Sequence, residues 1–94
     1  RGRLTVDDGA AKALAEKGKS LLASGIVQVS GTFQAGDSVV IEDRQGQEIA
    51  RGLSNYDSES VAKIRGRKSS EFKKLLGEKP YDEVVHRDNL VLRR

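Results

Sequence analysis

Cysteine, methionine and tryptophan are absent from this 94-residue chain, and histidine and proline occur once each, at His86 and Pro80. Without cysteine there is neither a disulfide framework nor a thiolate metal site. That fits a reducing compartment, and the expected location is cytoplasmic. A lone histidine leaves zinc one imidazole plus carboxylates, a poor ligand set, so His86 reads as structural or as surface. Lack of methionine implies an excised piece, beginning at Arg1-Gly2-Arg3, of a parent that extends upstream. Aromatics number four: Phe33, Tyr56, Phe72 and Tyr81. They are too few for a base-stacking platform or for the exposed aromatic sheet of an RNA-recognition motif. No apolar run approaches the ~20 residues that span a bilayer, so no membrane partner is expected.

What is present is charge, unevenly placed. Residues 61–80 carry Lys63, Arg65, Arg67, Lys68, Lys73, Lys74 and Lys79 against Glu71 and Glu78, a local net of +5. Residues 36–60 carry six acids against Arg44 and Arg51, a local net of −4. The basic flank can meet a polyanion, since lysine and arginine displace counterions from nucleic acid. Arg65, Arg67 and Lys68 are its candidate contacts, set against the ordinary reading of a solvated face. With so few aromatics, an RNA would be read by backbone and shape.

Ninety-four residues make one domain, 1–94. Leu4-Thr5-Val6 alternates and reads as a strand. Asp7 or Asp8 can cap a following helix, with Ala10, Ala13, Leu14 and Lys17 on one face and Gly18 as its left-handed stop. Ile26 to Phe33 reads as a strand bent at Gly31. Ser38 to Glu42 and Glu48 to Leu53 read as a hairpin around Arg44-Gln45-Gly46-Gln47. Ser58 or Glu59 to Ile64 predicts a short helix. Ser69 or Ser70 can cap another bearing Phe72, Leu75 and Leu76, stopped by Gly77. A strand starts at Pro80 and runs through Val84 and Val85. Asp88-Asn89 then turns into Leu90-Val91-Leu92. Many short strands with a few small helices predict a mainly β fold, a compact mixed barrel.

No catalytic set emerges. Gly18-Lys19-Ser20 ends like a P-loop, but the motif needs glycine where Ala13 stands, and a helix after the loop rather than before it. Ser24-Gly25 lacks the glycine of a nucleophile elbow, since Leu22 occupies its place. Asp7 and Asp8 are neighbours at a helix start and point in different directions, which suits capping rather than acid–base work.

The block from Val6-Asp7-Asp8-Gly9-Ala10-Ala11-Lys12 through Gly18-Lys19-Ser20 and Gly25-Ile26 to Gly36-Asp37-Ser38-Val39-Val40-Ile41 resembles the PUA domain. That is a small RNA-binding β-barrel attached to many RNA-modifying enzymes. Ala50-Arg51-Gly52-Leu53-Ser54-Asn55-Tyr56-Asp57-Ser58, Ile64-Arg65-Gly66 and Val85-His86-Arg87-Asp88-Asn89-Leu90 are similar to the C-terminal PUA domain of the bacterial glutamate 5-kinase family. The resemblance implies a PUA-like mixed β-barrel with an accessory role in regulation or assembly. Its implied partners are the parent's own kinase domain and structured RNA. ATP and Mg²⁺ would belong to that absent kinase domain, and no cofactor to this segment. It also implies RNA contact at Gly9, Ala10, Lys12, Lys19, Ser20 and Gly25, although the glycines read equally well as barrel packing. The alternative is the RNA-docking PUA domain of a tRNA- or rRNA-modifying enzyme.

Overall fold

A computed structural model describes residues 2–77 and 81–93. Strand β1 (Gly2–Val6) leads into helix α1 (Asp8–Lys17), a 3₁₀ turn (Ala23–Gly25) and β2 (Ile26–Ser30). The hairpin β3 (Ser38–Glu42) and β4 (Glu48–Leu53) precedes α2 (Ser58–Ile64). A 3₁₀ turn (Ser69–Glu71), α3 (Phe72–Leu76), a last 3₁₀ turn (Arg87–Asn89) and β5 (Leu90–Leu92) complete the order. One five-stranded mixed sheet runs β2-β1-β3-β4-β5. Its β1–β3 pairing is parallel and the other pairings are antiparallel.

Alternation decides which side chains go inside. Leu4, Val6, Ile26, Val39, Ile41 and Ala50 face the core and are buried, joined there by Leu14, Val61, Ile64 and Phe72. Register places Arg3, Val40, Arg51 and Val91 in one row on the outer face. Arg3–Glu42 and Arg51–Glu48 ion pairs cover part of that face at 3.0 and 2.9 Å. Such exposed pairs contribute little to stability.

The segments leading into the two edge strands also meet. Leu21 N donates to the Val85 carbonyl at 2.8 Å, and Val84 N donates to the Leu21 carbonyl at 2.9 Å. This bridge draws the sheet round towards closure. Val84 and Val85 are therefore buried beside Leu21, Val85 as a lone bridge residue, rather than part of a strand. The expected strand start at Pro80 lies outside the described residues.

Local chemistry sets the element ends. Asp7 caps α1, its Oδ1 accepting from Ala10 N at 2.8 Å. Gly18 closes the helix in the left-handed region at φ 59°. β2 stops at Ser30, three residues earlier than the sequence suggests, because Gly31 turns to φ 79°. Neither Ser69 nor Ser70 caps α3, which has no side-chain cap. Glu71 closes the start of the preceding 3₁₀ turn, its Oε2 accepting from Lys68 N at 3.3 Å.

Asp57 caps α2, its Oδ1 accepting from Ser60 N at 2.8 Å. That backbone hydrogen bond holds the Asp57 carboxyl below its ordinary value. Because the folded value is the lower one, the cap's contribution is complete above the unfolded pKa of about 3.9. It disappears as pH falls through the folded value. Asp57→Ala is expected to cost about 1 kcal/mol at neutral pH, read from urea midpoints. The gap to the parent should narrow in acid, and a gap that stays constant down to about pH 2 would contradict the cap.

Candidate nucleic-acid interface

The glycine-bounded segment around α1 builds a groove. Asp7 N donates to the Gly25 carbonyl at 2.9 Å, pinning the start of α1 to the Ala23–Gly25 turn. A Cβ on Gly25 would lie 2.5 Å from the Ala10 Cβ, so only glycine allows this approach. Added to Gly9, a Cβ would meet nothing nearer than Asp7 Oδ1 at 3.6 Å, so packing does not demand glycine there. Ser20 Oγ accepts from Arg87 N at 2.9 Å, which ties the segment after α1 to the last 3₁₀ turn.

The resulting cavity is about 350 Å³ in volume. Ala10, Ala13, Leu14, Leu21 and Leu22 give it apolar walls, and Lys17, Lys19, Ser20 and Ser24 give it polar ones. Its size is that of an ordinary ligand cleft.

Five of the six residues expected from the resemblance (Gly9, Ala10, Lys19, Ser20 and Gly25) line this one groove. Lys12 does not. It is exposed on α1, one helical turn from both Asp8 and Glu16 and off the face that carries Ala10, Ala13 and Lys17. Lys17 takes its place as a lining cation. The helical spacing of Ala10, Ala13, Leu14 and Lys17 already carried that signal.

The basic run divides as well. Arg65 Nη1 donates to the Val27 carbonyl at 2.9 Å, so this guanidinium serves the edge of β2. Arg67 and Lys68 instead line a second notch of about 230 Å³ with Leu22, Ala23, Ser24, Ser69 and Asp82. Arg67 also pairs with Glu71 at 3.4 Å, a long contact between half-exposed groups. The P-loop-like Gly18-Lys19-Ser20 sits at the end of a helix, not at the start of one. His86 uses Nδ1 to accept from Asp88 N at 3.1 Å, a capping role.

A sequence model of the PUA domain matches residues 2–76. The chain belongs to the PUA domain family. Among curated relatives, a glutamate 5-kinase of Thermoanaerobacter sp. (strain X514) is 58% identical over 91 residues, covering 97% of this chain and 24% of the kinase. Another, from Saccharophagus degradans, is 59% identical over 92 residues, covering 98% of this chain and 25% of the kinase. The chain thus spans about a quarter of the length of these relatives, and it matches their C-terminal region. Among solved structures, a PUA domain from Aeropyrum pernix K1 in a tartrate complex aligns with TM-score 0.69 and 30% identity, covering 90% of this chain and 40% of that one. A chain of an archaeal box H/ACA Nop10–Cbf5 complex aligns with TM-score 0.62 and 16% identity over 99% of this chain and 23% of that one, a likeness of fold alone.

Proposed function

We propose that this PUA domain is the accessory C-terminal domain of a cytoplasmic glutamate 5-kinase, acting in regulation or assembly and not in phosphoryl transfer itself. The observation behind this reading is 58% identity over 97% of the chain to a kinase of which the chain spans 24%. That identity also favours the kinase over an RNA-modifying enzyme as parent. Transfer of the ATP γ-phosphate to the side-chain carboxylate of glutamate, with its Mg²⁺, belongs to the other three quarters. Those three quarters are the first partner of this domain.

The groove beside α1 is the face through which such a domain takes RNA, with Lys19 the groove residue placed to meet a phosphate. Lys12 contributes at most to the surrounding field. Gly25 holds the groove's shape, and Ser20 holds its rim through Arg87.

In calorimetry with ATP and Mg²⁺, the chain is expected to show no saturable binding tighter than ~100 μM, or about −5.5 kcal/mol. The motive is Gly18, whose φ of 59° ends a helix where a phosphate loop would have to begin one. Tighter saturable binding would contradict the accessory role.

A further inference from the structure

The two candidate cation sets, separate in sequence, share a wall. Leu22 and Ser24 line both the groove beside α1 and the notch that carries Arg67 and Lys68. Between the two cavities stands Leu22, 49% exposed. Gly66 N donates to the Ala23 carbonyl at 2.7 Å, so the start of the Arg67 loop is fastened to the back of the same ridge. From Ser20 to Ser24 is four residues, at most about 14 Å of chain. Lys17 and Lys19 stand at one end of this short path, and Arg67 and Lys68 at the other. Among the described residues Asp7 and Asp82 are the acids lining it and Glu71 pairs with Arg67, so the path carries four cations against three carboxylates. Asp7 already accepts from Ala10 N as a helix cap.

We propose that the groove and the notch form one continuous track for an RNA backbone, crossing the Leu22–Ser24 ridge and meeting phosphates at both ends. The inference rests on the RNA reading of the groove, and it adds the second anchor and the ridge to that reading. Charge complementarity names the occupant. Two cationic clusters a few nucleotides apart suit a chain of regularly spaced phosphates better than a single small anion, which fills only one of them. The aliphatic ridge between them suits sugar or base edges rather than a phosphate. Arg65 stands outside the track because it lines neither cavity and its Nη1 is turned to the Val27 carbonyl.

The test measures the affinity of the chain for a short RNA hairpin as a function of salt. Four variants are compared with the parent: Lys17→Gln/Lys19→Gln, Arg67→Gln/Lys68→Gln, all four together, and Arg65→Gln. Urea midpoints verify that each is folded. Each pair should reduce the log–log salt slope by roughly 1–2, and the quadruple variant by about the sum, since each lost phosphate contact removes about 0.7–0.9. Arg65→Gln should change the slope by less than half as much as either pair. If Arg67→Gln/Lys68→Gln leaves slope and affinity unchanged while the lysine pair lowers both, the track ends at Ser24. The inference is then overturned while the RNA reading of the groove stands. An Arg65→Gln effect as large as that of Arg67→Gln/Lys68→Gln also overturns it, because diffuse charge rather than the notch would then be acting. If the parent chain binds no hairpin even at low salt, the RNA reading itself fails and takes the track with it.

Discussion

Phe72→Ala is expected to lower the free energy of unfolding by about 3–5 kcal/mol, the range for emptying an aromatic site in a packed core. Phe72 is fully buried at the start of α3. Its ring meets that of Tyr56 edge-on, with centroids 5.9 Å apart and planes at 87°. Tyr56 in turn stands edge-on to Tyr81 at 6.1 Å, and its hydroxyl accepts from Tyr81 N at 3.1 Å. The truncation therefore removes the base of a three-ring stack as well as a large apolar side chain. Edge-to-face pairs add about 0.5–1.5 kcal/mol beyond burial. For a chain of this size, total stability is on the order of 5–14 kcal/mol, so the loss is a large share of the whole. Urea denaturation measures it, and a loss below about 1 kcal/mol would mean that the α3 contact is loose.

Gly52→Val carries the second large effect, and it reaches the groove. A Cβ at position 52 would lie 2.6 Å from Val85 Cγ1 and 2.7 Å from the backbone oxygen of Asn89. A backbone atom cannot swing aside as a flexible side-chain end does. β5, which pairs Leu90 with Gly52, must move away from β4. Val85 must shift with it, and Val85 accepts the Leu21 N–H that helps shape the groove floor. The expected cost is about 2–3 kcal/mol, at the upper end of ordinary overpacking. Hydrogen exchange at the Leu21 and Arg87 amides should accelerate together, since Arg87 N is held by Ser20 Oγ in the same cluster. An unchanged urea midpoint with unchanged exchange at both amides would show that β4 and β5 have room the structure does not display.

Local chemistry made part of this domain readable from its residues. The β3–β4 hairpin falls at Ser38–Glu42 and Glu48–Leu53 because the apolar run Val39-Val40-Ile41 and the Gly46 turn, at φ 82°, agree. Asp7 and Gly18 bound α1 for the same kind of reason: a carboxylate accepts a free amide, and a glycine takes a left-handed φ. Phe33 and Phe72 are in the core, which leaves neither free as a base-stacking platform. What was not readable is non-local. The parallel β1–β3 pairing joins strands with β2 between them in sequence, and no short-range pattern announces it. Arg65 looked like one of three equivalent cations until α2 placed it against Val27, 38 residues away. The joining of the groove to the Arg67–Lys68 notch depends on the Ala23–Gly66 contact across 43 residues. Lys12 falls outside the groove because proximity in sequence to Gly9 and Ala10 says nothing about which face of α1 it occupies.

The most direct measurement is a ¹⁵N amide chemical-shift titration of the chain with the RNA hairpin. The groove-and-notch account predicts shifts concentrated at Gly9, Ala10, Lys19 to Gly25 and Arg67 to Ser69, leaving the outer sheet face unmoved. Shifts confined to the outer row of Arg3, Val40, Arg51 and Val91, or no shifts at all at low salt, would contradict it.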